Sequence, residues 1–255
     1  MYRGRRRTVL LTALALTLLF GVTGPVIAQE ATPDTGGLTI LEPDETYGGA
    51  SRAEWDARWW QWAVSLPPES NPNINFEGAD CGAGQFGPVF FIPGNFSPEA
   101  VTITCVVPAG TAVYVGLGGA ECSSVEPPPF FGRNEEELRA CAISVTDTVT
   151  DIQFSINGQE IPNVLDYRRT SPLMTLNFPD DNIFGVPGGI ALAVADGYSL
   201  IIAPPPPGDY EIIGSTTFDG TDTFTSTIQV TVEDAQVIEP EATPGASPEA
   251  ATPVA

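Results

Sequence analysis

The chain has 255 residues, of which 32 are acidic and 10 are arginine, and it contains no lysine or histidine. Its formal net charge of −22 disfavours binding to nucleic-acid phosphates and to anionic lipid surfaces. Without histidine and lysine, Ser-His-Asp and Cys-His catalysis, histidine-ligated metals and Schiff-base chemistry are excluded. Carboxylate chemistry is the class that survives.

Residues 1–28 have the three-part layout of a secretory signal peptide. Four arginines precede an apolar run over residues 8–22, and Val26 and Ala28 occupy the two positions that a signal peptidase inspects. The run is shorter than the roughly 20 residues of a transmembrane helix, although an uncleaved anchor and a twin-arginine signal remain alternatives. We therefore expect a mature chain from residue 29, secreted to the extracellular space or the cell-envelope surface. Its 6 arginines and 32 acidic residues give a net charge of −26.

Composition divides the mature chain into three parts. Residues 29–49 are rich in Thr, Pro, Gly and acidic residues without apolar periodicity, which predicts a flexible leader. Residues 237–255 are rich in Pro, Ala, Glu and Thr, a composition that buries too little apolar surface to fold, so we expect a disordered tail. Residues 50–236 are long enough for one well-buried domain. We expect no membrane insertion of the mature chain, because the tail has no hydrophobic segment.

The predicted domain begins with a tryptophan-rich helix. Ser51 is a suitable N-cap and Glu54, three residues later, completes a capping box. Pro67-Pro68 ends the helix. All four tryptophans of the protein are in this segment, and one helical face combines Trp55, Trp59, Trp62 and Leu66.

The tryptophan helix has two interpretations. In the first, its aromatic stripe packs into the core, as the helical spacing favours. In the second, exposed indoles stack on sugar rings, with Gln61 and Asp56 supplying hydrogen bonds. Trp60 lies off the stripe and is therefore the best single candidate for a ligand contact, so the predicted ligand-binding residues are Trp60, Gln61 and Asp56.

After this helix the apolar period changes from 3.6 to 2. A second, short helix is predicted over residues 134–145, capped by Asn134. Asn157-Gly158 predicts a type I′ hairpin turn. Eight or more short strands with Pro/Gly turns predict a mainly β fold, an immunoglobulin-like or jelly-roll-type β-sandwich with two helices. The predicted strands cover residues 89–92, 101–107, 111–117, 152–156, 191–195, 199–203, 210–217 and 223–232.

Four cysteines in an oxidising compartment predict two disulfides, with three connectivities open. We favour Cys81–Cys105 and Cys122–Cys141, because sequential closure needs no threading of loops. Each loop would stabilise the fold by about 3 kcal/mol in the chain-entropy model. Zinc ligation is disfavoured, because no two cysteines have the two-to-four-residue gap of a zinc knuckle and histidine is absent.

Two acidic loops between predicted strands are candidate Ca²⁺ sites. One contains Asp180 and Asp181, and the other contains Asp219 and Asp222. Clustered loop oxygens suit Ca²⁺, but neither loop has EF-hand spacing. Turn residues chosen for their local hydrogen bonds are the alternative. No other cofactor is expected.

Four segments of the chain are distinctive: WWQWAVSLPPESNP from residue 59, CGAGQFGPVFFIPG from residue 81, CVVPAGTAVYV from residue 105 and DGYSLIIAPPPPGDYEI from residue 196. Over roughly residues 48–233 they resemble a family of uncharacterised secreted bacterial proteins. The resemblance implies an extracytoplasmic β-rich domain and no particular activity. Tyr210-Glu211-Ile212 stands where the family pattern suggests a His-containing strand, so any role of that histidine is absent here.

These observations favour a non-enzymatic extracellular or cell-surface interaction module that binds a glycan or another protein. One alternative is a carboxylate-dependent polysaccharide hydrolase, since two Asp or Glu residues suffice for glycoside hydrolysis. The other alternative is a structural envelope component that self-associates. No nucleic-acid partner is expected.

Overall fold

The computed structural model describes residues 37–77 and 80–233, which form a mainly β fold with two helices. The predicted signal peptide and tail lie outside the described residues. Two five-stranded mixed sheets face each other, which confirms the expectation of a β-sandwich. Within the described part of the chain, no helix is long and apolar enough to cross a membrane.

The first sheet has the strand order β1-β3-β8-β6, and β7 also pairs with β8. Its strands are β1 (Val89–Phe91), β3 (Ala112–Ser123), β6 (Arg168–Thr170), β7 (Met174–Phe178) and β8 (Gly189–Ile202). The β1–β3 pair is parallel and the other pairs are antiparallel.

The second sheet has the strand order β2-β10-β9-β4-β5. Its strands are β2 (Val101–Pro108), β4 (Val149–Ile156), β5 (Gln159–Glu160), β9 (Gly208–Phe218) and β10 (Asp222–Glu233). The β2–β10 pair is parallel and the others are antiparallel. The β4–β5 turn is the predicted one, and both of its residues, Asn157 and Gly158, have the positive φ that a type I′ turn requires.

Alternating apolar residues of both sheets form the core between them. On β2, for example, Ile103, Cys105 and Val107 are buried while the residues between them are exposed. This period-2 pattern gives each strand one face for the core and one for solvent. The other buried residues of this core include Val113, Val115, Phe154, Leu200, Ile202, Ile212, Ile228 and Val230.

The helix α1 (Arg52–Ser65) packs against the outer face of the first sheet. It begins with the predicted capping box between Ser51 and Glu54. The aromatic stripe is buried, and each of its indole N–H groups donates to a main-chain carbonyl. The pairs are Trp55 with Tyr47 at 2.9 Å, Trp59 with Ile92 at 2.9 Å and Trp62 with Ala83 at 2.8 Å.

The helix α2 (Glu135–Thr146) packs Leu138 and Ala142 on Cys122 and Val194 of the first sheet. Its predicted N-cap is present, because the Asn134 side chain accepts from the Glu137 amide at 3.0 Å. The structure contains both disulfides in the favoured pairing, Cys81–Cys105 and Cys122–Cys141.

The structure departs from the predicted elements at several places. Residues 191–195 and 199–203 were predicted as two strands but belong to the single strand β8, because Asp196-Gly197-Tyr198 continues the pairing with β3. Strands β6 and β7 were not predicted. In the predicted leader, Leu38 and Leu41 are buried and the Leu41 amide donates to the Ile201 carbonyl at 2.9 Å, so the packed chain begins before residue 50.

Candidate functional site

On the side of the first sheet that faces α1, a row of paired residues has small side chains or none. Residues that are paired across β3 and β8 point to the same face, and this face packs against α1 at both ends of the row. The two middle pairs of the row are Gly116–Ser199 and Gly119–Gly197, so three of their four residues are glycine. A Cβ atom on Gly116 would meet nothing nearer than Tyr114 Cε1 at 3.9 Å, so open space lies over it. The pairs are Tyr114–Ile201, Gly116–Ser199, Gly119–Gly197 and Glu121–Ala195.

An irregularity in β3 sets which side chains reach this face. The register with β8 shifts between Gly116 and Gly118. Such a bulge adds one residue to one strand and so reverses the faces that the following side chains occupy. Gly119 is required by close packing, because a Cβ atom there would collide with the Asp196 carbonyl. Beyond the bulge, Glu121 points toward the α1 side while Cys122 points toward α2.

The outer edge of β3 is open along its glycine-rich part. β1 pairs with β3 only as far as Tyr114, and the next bridge on that side joins Ser123 to Phe131. Within the described residues, no strand therefore pairs with positions 115–122 on this edge. Unpaired edges present backbone N–H and C=O groups that are ready to pair with another chain.

A cleft of about 560 Å³ follows this open edge, and we call it the β3 cleft. It is lined by the eight consecutive residues from Tyr114 to Glu121, by α1, by the loop after β1 and by the inner ends of β9 and β10. Acidic residues outnumber basic ones in the lining, where one arginine, Arg169, accompanies Asp56, Glu121, Glu126, Asp196, Asp219 and Asp222.

Three carboxyl groups of this lining are buried, those of Asp56, Glu121 and Asp196, and Asp56 is 6% exposed. Its Oδ1 accepts hydrogen bonds from the Tyr114 hydroxyl at 2.8 Å and the Ser199 hydroxyl at 2.6 Å, whereas Oδ2 has no partner among the described residues. Burial raises the pKa of Asp56 to about 6, against the opposing effect of these two hydrogen bonds and of Arg52. Arg52 itself donates to main-chain carbonyls, those of Leu41, Glu42, Pro43 and Ser199.

Glu121 is the next of these buried carboxyl groups and is 3% exposed. No donor group in the described part of the chain bonds either of its oxygens, and the polar group beside them is the Glu126 carboxyl, to which a protonated Glu121 donates a hydrogen bond. Burial, together with the adjacent Glu126 carboxyl, raises its pKa well above the ordinary value. Asp196 is equally buried but has a donor at each oxygen. Arg168 donates to its carboxylate at 2.7 Å and the Thr170 hydroxyl donates at 2.5 Å.

Aromatic side chains form one wall of the β3 cleft. Trp60 is half-buried and stands edge-on to Trp59 at a centroid distance of 4.9 Å. Phe96 lies 5.8 Å from Trp60 and also 5.8 Å from Phe184. A ligand in the cleft therefore meets apolar ring surface on this wall and carboxyl groups at its base.

The structure separates the three predicted ligand-binding residues. Asp56 and Trp60 both line the β3 cleft. Gln61 is exposed and lies in a different, shallow groove beside Glu54 and Arg58, where its Nε2 donates to the Thr175 carbonyl at 3.1 Å.

The two predicted Ca²⁺ loops are also separate. Asp219 and Asp222 flank the β9–β10 turn and line the β3 cleft, whereas Asp180 and Asp181 are exposed and lie outside its lining. Among residues 37–77 and 80–233, no group of three or more His, Cys, Asp or Glu side chains is arranged to hold a metal ion.

Glu121 was missed by the sequence analysis. The predicted strand ended at residue 117, and the glycines that follow are residues that weaken a strand. The one available signal was its position immediately before Cys122, since the Cys122–Cys141 disulfide fixes this segment in the core.

No protein-family model matches the chain, and no curated protein matches it. Among solved structures, a chain of "Structure of PbICP-C in complex with falcipain-2" aligns over 58% of this chain and 100% of its own length. The two are 15% identical and the TM-score is 0.25. Functional inference therefore rests on the geometry of the β3 cleft.

Proposed function

We propose that the mature protein is a secreted, non-enzymatic interaction module of the cell exterior and that its ligand binds in the β3 cleft. The observation that carries this proposal is a pair of buried carboxyl groups in an aromatic-walled cleft, since Asp56 Oδ2 and both Glu121 oxygens have no donor among the described residues. A buried polar group without a partner destabilises a fold by about 1–3 kcal/mol. A ligand that supplies the missing partners recovers that free energy on binding.

The surroundings of the cleft support a binding role. Trp60 and Phe96 offer ring surface that remains accessible, in contrast to the buried indoles of the α1 stripe. The four segments that carry the family resemblance meet here, since each contributes to the lining. Two disulfides fit the oxidising environment that the predicted signal peptide implies.

The binding role is tested by screening residues 29–255 against an array of bacterial and plant oligosaccharides and against a random heptapeptide library. We expect at least one class to yield a ligand that binds the wild type and the Glu160→Gln variant, whose exposed carboxyl lies outside the cleft. The same ligand should lose binding to Gly116→Val, which fills the open space above Gly116, and to Glu121→Gln. The absence of any ligand, or binding that neither cleft variant weakens, would contradict the proposal.

A polysaccharide hydrolase is the second candidate, favoured by the presence of two carboxyl groups in one cleft. Glu121, kept protonated by its raised pKa, would give its proton to the departing glycosidic oxygen. Asp56 would take a proton from the water that attacks the anomeric carbon. The carbon–oxygen bond breaks and a hydroxyl forms in its place. Release of reducing ends by the wild type that is abolished in Glu121→Gln would establish this activity and overturn the non-enzymatic role.

A further inference from the structure

We propose that the β3 cleft binds an extended, basic segment of a partner protein, which adds to the open edge of β3 as a strand and directs a lysine or arginine side chain toward Glu121 and Asp56. This inference rests on the proposed function of the cleft and names the chemistry of its ligand.

The open edge of β3 favours a polypeptide ligand. Positions 115–122 have no strand partner on this side in the described part of the chain, and the cleft follows the strand from Tyr114 to Glu121. Eight residues at about 3.3 Å each span roughly 26 Å, which accommodates the roughly 23 Å of an extended heptapeptide. Open space lies over Gly116, so a second backbone can approach there closely enough to exchange ladder hydrogen bonds. Gly118 and Gly119 instead pack against Thr216 and the Asp196 carbonyl, and the Leu117 carbonyl already accepts from the Thr216 hydroxyl.

Charge determines which polypeptide fits. The lining contains six acidic residues and one arginine, and Asp196 is the acidic residue already paired with Arg168. The whole chain carries a net charge of −22. An acidic peptide is therefore repelled, whereas a basic one is attracted over a distance and then paired locally. Guanidinium and ammonium groups are pure hydrogen-bond donors, and among the described residues Asp56 Oδ2 and the Glu121 oxygens have no donor. Without ligand, burial and Glu126 favour the protonated form of Glu121, whereas a cation bound beside it favours the ionised form, which accepts hydrogen bonds.

Burial of the two carboxyl groups favours a long side chain. Both lie beneath the surface of the cleft, at 6% and 3% exposure. Lysine and arginine carry their charge on a flexible aliphatic stem, and this stem packs on apolar and aromatic surface such as Trp60 and Phe96. A sugar ring would stack on the same wall, but it has no comparable reach and leaves the open strand edge unpaired.

The test uses residues 29–255 and a random heptapeptide display library, with the selected peptides then synthesised. We expect the selected sequences to share a lysine or arginine at one position, flanked by residues that favour strands. Replacing that residue by norleucine should weaken binding at least tenfold, as should Glu121→Gln in the protein, while Glu160→Gln should leave the affinity unchanged. N-methylation of alternate backbone amides of the peptide should abolish binding, because it removes the ladder donors.

The outcomes separate this inference from the proposed function. Selected peptides without a shared basic residue, or undiminished binding after N-methylation, would overturn the basic-strand ligand. Binding of an oligosaccharide to the cleft with no peptide selected would also overturn it, yet would leave the interaction-module proposal standing. Failure of both ligand classes to bind would contradict the proposed function itself.

Discussion

Among the residues that the structure describes, no donor reaches Asp56 Oδ2 or the Glu121 oxygens, while nearby Asp196 has both of its oxygens bonded. The described residues therefore supply donors to both oxygens of one buried carboxylate and leave at least one oxygen of two other carboxyl groups without a donor. Incomplete bonding of buried polar groups is rare in native proteins and needs an explanation. A ligand-binding role at the β3 cleft provides one.

The Asp56 carboxyl should make stability depend on pH. Its pKa is 3.8 in the reference state and about 6 in the fold. The folded chain then holds a proton that the unfolded chain has released, so its contribution to stability is lost as pH rises from about 4 through about 6. The two values differ by about two units, which corresponds to roughly 3 kcal/mol.

Urea unfolding of the wild type and Asp56→Asn between pH 4 and pH 7 measures this effect. We expect the wild type to lose stability relative to the variant across that range. Glu121 is present in both proteins, Tyr114 stays neutral and Arg52 stays charged across this range, so the difference between the two pH profiles isolates Asp56. Parallel pH profiles would show that burial does not shift the pKa of Asp56.

Removing the Glu121 carboxyl should stabilise the ligand-free protein. Leucine has a similar size and no polar atoms, so Glu121→Leu eliminates two unpartnered buried oxygens. We expect the free energy of unfolding to rise by about 1–3 kcal/mol. Thermal and urea unfolding report the gain, and loss of ligand binding in the same variant is the matching functional readout. A destabilised Glu121→Leu would indicate that the carboxyl supports the fold instead.

At the scale of single elements, α1 follows closely from its sequence. The capping box at Ser51 and Glu54 and the i, i+4, i+7 stripe of Trp55, Trp59 and Trp62 are local patterns, and the structure confirms the helix that they predict. The stripe is buried, so sugar stacking on those three indoles is ruled out. Trp60 is the exception that the helical spacing singled out, and it lines the cleft.

Substitutions on α1 should distinguish a residue that stabilises the core from a residue that contacts ligand in the β3 cleft. Trp59→Ala removes a 6%-exposed indole with its bond to the Ile92 carbonyl, and we expect a loss of about 3–5 kcal/mol. Trp60→Ala removes a half-buried ring and should lose less than half as much while weakening ligand binding. Urea unfolding compares the two variants. Equal losses would place Trp60 in the core and remove it from the binding surface.

Strand β3 shows what the sequence does not reveal. The alternation of Val113, Val115 and Leu117 predicts the first half of the strand. The bulge between Gly116 and Gly118 then changes which residues face α1, and only pairing with β8 fixes that shift. The position of Glu121 is therefore a property of two strands far apart in sequence. Strands β6 and β7 escaped prediction for a related reason, since they are short edge elements defined by their partner β8.

For the molecule as a whole, the sandwich and its two disulfides were predictable from strand spacing and cysteine count. The strong negative charge is a global property that opposes compaction, because like charges repel across the surface. Salt screens such repulsion over about 10 Å at 0.1 M.

Raising NaCl from 10 mM to 200 mM should therefore stabilise residues 29–255. We expect the free energy of unfolding to rise by about 1 kcal/mol, which corresponds to a rise in Tm of about 2–4 °C for a domain of this size. Differential scanning calorimetry gives the value, and CaCl₂ at matched ionic strength is the control. An additional rise with Ca²⁺ that disappears in Asp219→Asn/Asp222→Asn would reveal a cation site at the β9–β10 turn, whereas a Tm that does not change with NaCl would contradict the charge argument.

The most direct test of the β3 cleft as a binding site is the ¹H–¹⁵N spectrum of residues 29–255, recorded with and without a ligand recovered in the peptide or oligosaccharide screens. The four indole N–H signals are assigned by single Trp→Phe variants. We expect the ligand to shift the Trp60 indole and the Gly116 and Gly119 amides, while the Trp55 and Trp62 indoles stay in place. A bound ligand that leaves Trp60, Gly116 and Gly119 unchanged and shifts residues elsewhere would contradict the account.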